Sequence, residues 1–426
     1  MNIFNSDVFK YKDNNLHCEE TRLVDIADRT GTPVYVYSKK YFVDKYSEFA
    51  SAFKEINSKI FFSAKSNFNL NVIKIFSQCG SGIDINSSGE LFRALKAGVN
   101  PHNIIQTGVG KTEEEILAGI RHGVKLIKAE SFDEILLIDK IAGSINKKVE
   151  TAFRVNPDVD SKTHPYISTG LLENKFGIES SDAVKYYQEA SQLKNIILTG
   201  IDMHIGSLVY SAAPYVEAVD KLSDIFMQLK SKGIDLKHFD IGGGMGINYN
   251  DEEPLDIREF AEVLIPKFKM LNCEIWFEPG RYLTANGGVL VTKVLYPKKS
   301  GNKNFIIIDS GMNDLIRPSI YGAYHHIQPL VKIDSDQEIT ADIVGPVCES
   351  GDFIAKGRKI NAVRAGEYLS IMSAGAYGMT MSSNYNARRR PPEVIVDKGK
   401  FYITRGRESF EHLLFDEKII NDLHIK

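Results

Sequence analysis

Between about residue 60 and residue 280 one alternation repeats along the chain: a short apolar run rich in β-branched and aromatic residues, then a longer segment whose apolar positions recur at close to 3.6 residues. The apolar runs are KIFFSAK, GIDI, NIIQTG, VKLIKAE, ETAFRVNP, LTGIDMHIG, HFDIGGG and EIWFEPG. Helical spacing lies between them in GELFRALKAG, TEEEILAGIRHG, SFDEILLIDKIAG and PYVEAVDKLSDIFMQLKSKG, several of which stop at a glycine as helix C-termini do. Eight such strand–helix units predict an α/β fold, a (β/α)8 TIM-type barrel. After residue 281 the pattern changes to strands with little helix between them: GGVLVTKVLYPKK, NFIIIDSG, ITADIVGPV, EYLSIMSAG and FYITRG. These predict a mainly β C-terminal domain, a β-sandwich or barrel, completed by the N-terminal DVFKYKDNNLHCEETRLVDIA. The expected division is residues 1–28 with the β domain, 29–281 as the barrel and 282–426 as the β domain.

Composition narrows the class. The 426 residues carry 43% hydrophobic and 25% charged positions with a formal net charge of −3, which fits a globular protein and gives no reason to expect a nucleic-acid or membrane partner. MNIFNSDVFKYKDNN has no basic flank leading into an apolar stretch, and no later run offers the ~18 apolar residues of a spanning helix, so a cytoplasmic protein is expected. Cys18, Cys79, Cys273 and Cys348 lie far apart, without C-x-x-C pairs, so free thiols and no metal site are expected.

Barrels of this kind do their chemistry at the C-terminal ends of the strands. The eight runs end in Lys65, Asp84, Thr107, Glu130, Arg154, His204, the glycines 242–244, and Glu278 with Arg281, so nearly every exit carries a polar or glycine device. Two apparent motifs fail: GVGKT lacks the first glycine of a phosphate loop, since Ile105 stands there, and IGGGMGINY has Ile247 where a dinucleotide fingerprint needs its third glycine. What remains is a flexible glycine turn after the seventh strand, of the kind that binds phosphate. A lysine ending an apolar strand is usually a surface residue with a buried stem. In this company Lys65 reads differently. An inward amine, a phosphate turn and the carboxylate of Glu278 are the parts that pyridoxal 5′-phosphate requires: a covalent attachment, an anchor and a partner for the ring nitrogen. His204 is placed to stack on that ring, and Arg281, after a glycine, to bind an anion. ARRRPPEV reads as a solvated loop or a subunit contact.

These motifs resemble the diaminopimelate decarboxylases, in the fold type III (alanine racemase-like) group of pyridoxal-phosphate enzymes. The resemblance runs from about residue 30 to 415 through SAKSN, GIDINSSGEL, TGVGKT, RVNPDVDSKTHPYISTGLLENKFGI, MHIGS, DIGGGMGI, EPGRYL, MNDLIRPSIYGAY, VCESGDFIAKGR and GAYGMTMSSNYNARRRPPEV. It implies that Lys65 carries the cofactor, His204 stacks on it, Glu278 pairs with its nitrogen, and Ser207, Gly243, Gly244, Gly280 and Arg281 surround its phosphate. It implies further that Arg281, Arg317 and Tyr321 hold the substrate's distal carboxylate, that Tyr377 touches cofactor and substrate, and that Asp84 and Arg154 tune the site. Cys348 would be the acid that protonates Cα after CO2 leaves, and Glu349 would bind the distal ammonium. Both would be contributed to the barrel of a partner subunit in a homodimer.

The implied activity is decarboxylation of meso-2,6-diaminopimelate to L-lysine. Two alternatives stand beside it: a related decarboxylase for another zwitterion-tailed amine, such as carboxynorspermidine or a siderophore intermediate, and a non-catalytic cofactor-binding regulator. The chain departs from the family pattern in FSAKSN, in HIGSL, where Leu208 replaces a glutamine, and in KAES, where Lys128 replaces an asparagine and adds a charge near the rim of the fourth strand.

Overall fold

A computed structural model describes residues 6–160, 174–332 and 337–420. Residues 161–173, inside the motif that begins RVNPDVD, lie outside this description. The chain divides into two compact units: Ser38–Gly288 with Gly375–Thr380, and the remainder, comprising residues up to Tyr37, Val289–Ala374 and residues from Met381 onward.

The first unit is the barrel. Its strands are β1 (Ser58–Ser63), β2 (Gly82–Ile85), β3 (Ile104–Gln106), β4 (Leu126–Ala129), β5 (Val149–Asn156), β6 (Ile196–Asp202), β7 (His238–Asp240) and β8 (Glu274–Phe277). Each pairs in parallel with the next, and β8 returns to β1 through Phe277 opposite Ile60, which closes the cylinder. Strands covered on both sides are mostly apolar, and β2, β3 and β4 are buried at every position, with Asp84, Gln106 and Lys128 as their polar members.

Inside the cylinder Phe61, Ile105, Leu126, Ala152 and Trp276 form an apolar layer. The His238 ring stacks on Trp276 at 3.6 Å and 4°. Glycine makes that stack possible, because a Cβ on Gly200 would overlap the His238 ring and one on Gly82 would overlap Phe61.

Helices start where the sequence supplies a hydroxyl followed three residues later by glutamate. Ser87 caps Ser88–Lys96 by accepting from Glu90 N–H, Thr112 caps Glu113–His122 in a full capping box with Glu115, and Ser131 caps Phe132–Ser144 by accepting from Glu134 N–H. The same glutamates fix the strand exits. Glu90 Oε2 accepts from Asn86 N–H at 2.6 Å and Glu134 Oε2 from Glu130 N–H at 2.7 Å.

In the second unit one sheet runs Phe353–Asn361, Glu338–Val344, Lys303–Ile308, Gly288–Ser300, Val34–Ser38, Glu393–Asp397, Lys400–Arg405, with Tyr368–Ile371 and Ile327–Pro329 branching from Gly288–Ser300. The chain stays in this unit as far as Tyr37 because Val34–Ser38 is hydrogen-bonded between strands from either side of residue 300. Phe9–Lys12, Asn15–Cys18 and Thr21–Arg22 form a separate antiparallel sheet.

Candidate active site

Lys65 stands on the 3-10 turn Ala64–Ser66 that continues β1 out of the barrel. The turn is tied down by Ser66 Oγ donating to Ser63 O at 2.8 Å and by Tyr377 N–H donating to Ser66 O at 2.8 Å. Behind it lies Gly280, where a Cβ would come within 3.0 Å of the Ser66 side chain. Asp84, fully buried, accepts from the hydroxyls of Ser63 and Thr107, each at 2.6 Å. Burial opposes a charge on Lys65, but Asp84, Tyr377 and Glu278 outweigh it, and the amine titrates above the ordinary lysine range.

The glycine turn after β7 is close-packed rather than flexible. Gly242 (φ 69°) and Gly244 (φ 103°) adopt left-handed backbone. A Cβ on Gly243 would collide with Glu278 O, and one on Gly244 with Gly206 O. Two of its N–H groups are spent inside the protein: Gly242 donates to Asp240 Oδ1 at 2.8 Å and Gly243 to His204 Nδ1 at 3.2 Å. Since Nδ1 accepts, the His204 proton sits on Nε2. Burial, reinforced by Lys65, Arg154 and Lys128, holds its pKa well below the usual histidine value, so the ring is neutral.

Lys128 is not at the rim. It is 1% exposed inside the barrel, and its Nζ donates to Asp202 Oδ1 at 2.7 Å, to Asp240 Oδ2 at 2.7 Å and to Glu278 Oε1. The expectation failed because β4 turns this residue inward, with Glu130 two positions later on the same side. Asp202 and Asp240 were not read as site residues. The available signal was period two: Asp202 precedes His204 by two positions, and Asp240 precedes the glycine turn.

Arg281 opens the short helix after β8 and is 8% exposed. Nη1 donates to Tyr249 Oη at 2.7 Å and Nη2 to Ser207 Oγ at 3.0 Å, and the guanidinium lies over the Tyr377 ring at 4.6 Å. Its Nε is buried with no hydrogen-bond partner among the described residues. Tyr377 holds its place in a left-handed conformation (φ 55°). Arg154 meets Glu130 at 3.2 Å, donates to His204 O at 3.3 Å and covers the Phe176 ring, while Glu130 also accepts from Gly177 N–H at 2.7 Å.

These residues fit pyridoxal 5′-phosphate. Lys65 supplies the amine, Glu278 the buried carboxylate, and the orphaned Nε of Arg281 a donor awaiting an anion, since a buried unpaired donor costs ~1–3 kcal/mol.

The remaining expected residues belong to the second unit. Arg317, 3% exposed, begins the helix Arg317–Tyr321 and donates from Nη1 to His325 Nε2 at 3.0 Å, while Tyr321 is half-buried at the end of that helix. Cys348 and Glu349 are exposed on a turn built around Asp352, whose oxygens accept from Met312 N–H and Val347 N–H, each at 2.6 Å. Ser319 Oγ donates to Gly351 O at 2.7 Å, so the turn and the Arg317 helix are held together. Cys348 N–H donates to Asn386 Oδ1 at 2.9 Å, and Tyr385 hydrogen-bonds Glu349.

Two further expectations meet the structure here. Leu208 adopts φ 63°, uncommon for a leucine. The basic run is half-buried and internally committed rather than solvated: Arg388 donates to Asp309 O at 3.0 Å, Arg389 covers Phe410, and Arg390 N–H donates to Glu408 at 2.9 Å.

Residues 39–285 match a family model described as pyridoxal-dependent decarboxylase, pyridoxal binding domain. The diaminopimelate decarboxylase of Aquifex aeolicus is 44% identical over 95% of this chain and 96% of its own length. That of Haemophilus influenzae is 44% identical over 95% and 98%. Among solved structures, diaminopimelate decarboxylase from Helicobacter pylori complexed with L-lysine is 37% identical with a TM-score of 0.89, covering 92% of this chain and 98% of that one.

Proposed function

The chain belongs to the diaminopimelate decarboxylases, a pyridoxal-dependent family, and from that membership we propose how its residues divide the work. The enzyme removes one carboxylate of meso-2,6-diaminopimelate to give L-lysine and CO2, the last step of lysine biosynthesis. Pyridoxal 5′-phosphate, when bound, supplies a sink for the electron pair that the departing carboxylate leaves behind.

Lys65 is the amine that carries the cofactor, and Asp84 sits beside it to set its charge. Glu278 offers the anion that keeps a ring nitrogen protonated. His204, neutral and fixed by Gly243 N–H, presents an uncharged ring face, while Arg154 braces the His204 backbone. Ser207, Gly243, Gly244, Gly280 and Arg281 frame the phosphate region, and Tyr377 borders both cofactor and substrate.

Arg317 and Tyr321, with Arg281, hold the distal carboxylate, and Glu349 holds the distal ammonium. Hydrogen bonds to charged groups contribute ~1.5–3 kcal/mol each, so a substrate lacking either end loses heavily. Lysine and ornithine are therefore poor substrates. Cys348 gives its thiol proton to Cα as general acid. Cys348 and Glu349 serve the barrel of a second copy, which makes the working enzyme a homodimer. A cytoplasmic location accords with this biosynthetic role, and among the described residues no helix is long and apolar enough to cross a membrane.

The observation that carries this reading is the gathering of Lys65, Glu278 and the open Nε of Arg281 at the strand exits of one barrel. The test is to incubate the cofactor-loaded protein with meso-diaminopimelate beside lysine, ornithine and carboxynorspermidine, then trap with borohydride and map the label. Lysine and CO2 from the first substrate and a label on Lys65 are expected. A label elsewhere, or no product at full cofactor occupancy, overturns the reading.

A further inference from the structure

The floor of the proposed cofactor site is charged. An ammonium has three N–H donors, and those of Lys128 go to three different carboxylates, Asp202, Asp240 and Glu278. The carboxylates come from the ends of β6, β7 and β8, and one oxygen from each lies within 4.8 Å of the others. Groups so disposed commonly hold a metal ion; here the cation among them is the chain's own.

Three like charges this close repel, and burial adds to the cost. The ammonium acts against both. Lys128 pulls both Glu278 and Asp202 down, yet burial, with the neighbouring carboxylates, outweighs it and leaves Glu278 well above the usual carboxylate range and Asp202 up at about 6. Its contact with Glu278 also falls on one oxygen, Oε1.

We propose that Lys128 is a positioning residue for the cofactor ring: by engaging Glu278 through Oε1 and offsetting part of the repulsion from Asp202 and Asp240, it favours the anionic form of Glu278 and orients it for the ring nitrogen. The inference rests on the reading of Glu278 as the ring's partner. It assigns a task to a lysine that the sequence alone placed as a charge near the rim of the fourth strand. Nothing in the role requires Lys128 to touch substrate.

Three variants test it: K128M, which removes the charge while keeping the stem; D202N, which removes a competing acid; and the double variant, which restores the charge balance. The direct readout is the 15N chemical shift of the ring nitrogen in protein loaded with 15N-labelled cofactor, without substrate. In the wild type it is expected at the protonated position. In K128M it moves toward the unprotonated position, kcat falls by roughly 10-fold or more with KM little changed, and the acid limb of the kcat profile moves to higher pH. D202N moves the limb to lower pH, and the double variant recovers the ring signal and most of kcat.

An unchanged ring signal in K128M overturns the proposal. So does a loss of kcat that the double variant leaves unrepaired, which would mark a packing role. Should K128M fail to fold, D202N alone decides, since an acid limb that stays in place also overturns it. Borohydride trapping at Lys65 in the same samples separates this outcome from failure of the cofactor reading itself: a wild type that traps no label condemns that reading, whereas a labelled wild type with an indifferent K128M condemns only the role of Lys128.

Discussion

Arg317 donates from Nη1 to Nε2 of His325 at 3.0 Å, and His325 Nδ1 faces Met372 O at 2.8 Å. Arginine can only donate, so Nε2 accepts and the proton is fixed on Nδ1, which donates to the carbonyl. His325 thereby orients a guanidinium proposed to bind the distal carboxylate. His325→Leu is expected to raise KM for meso-diaminopimelate by roughly 10-fold or more with a smaller change in kcat. Steady-state kinetics check this; equal loss in both parameters would place His325 in the chemistry instead.

Cys348→Ala is expected to lower kcat by ~10²–10⁴ while leaving cofactor absorbance intact, as removal of a general acid does. The proposed sharing of sites between subunits has a sharper test. Mixing inactive K65A with inactive C348A under conditions of subunit exchange yields mixed dimers, about half the population, each with one complete site of two. About a quarter of wild-type activity should return, and none should return if each subunit works alone.

Gly243→Ala places a methyl group against the Glu278 carbonyl, which is backbone and cannot swing aside. Overpacking of this kind costs ~1–3 kcal/mol. The strain falls on the peptide that carries Glu278, so cofactor affinity should drop together with Tm. Equilibrium dialysis and thermal unfolding of the apoprotein measure the two losses.

Asp314 supplies a pH prediction. It is 1% exposed, and burial pushes its carboxyl up to about 7 despite the Gly311 N–H bond and Arg388. A carboxyl whose folded pKa is raised favours the native state when protonated, so its contribution is complete below pH ~4 and lost as pH rises through about 7. Asp314→Asn imitates the protonated form, and rotation of the Asn313 amide would bring its buried, unpartnered Oδ1 to the new N–H group. The variant should gain up to ~4 kcal/mol over wild type above pH 8 and nothing at pH 4, read by denaturant unfolding at the two pH values.

The barrel was legible because its physics is local. Strands buried on both faces read as nearly continuous apolar runs, and Ser87, Thr112 and Ser131 announce their helices through the glutamate three residues on. The strand-exit residues were legible for the same reason. Lys128 was not, because its meaning depends on Asp202, Asp240 and Glu278, which are 74, 112 and 150 residues away. Without them a lysine near a strand end looks like a rim charge. Val34–Ser38 shows a related limit: all five residues are buried, yet nothing in VYVYS tells which sheet will receive it. Half-burial of Arg388 and Arg390 likewise depends on partners at Asp309 and Glu408.

The barrel unit includes Gly375–Thr380, a stretch that lies beyond most of the second unit in the chain, and Tyr377 reaches back to Ser66 O and the Arg281 guanidinium. During translation the eight strands are therefore available long before the last wall of their own chamber has left the ribosome. A nascent chain stopped near residue 288 carries all eight strands but lacks Tyr377, so the capacity to retain vitamin B6 should appear only late in synthesis.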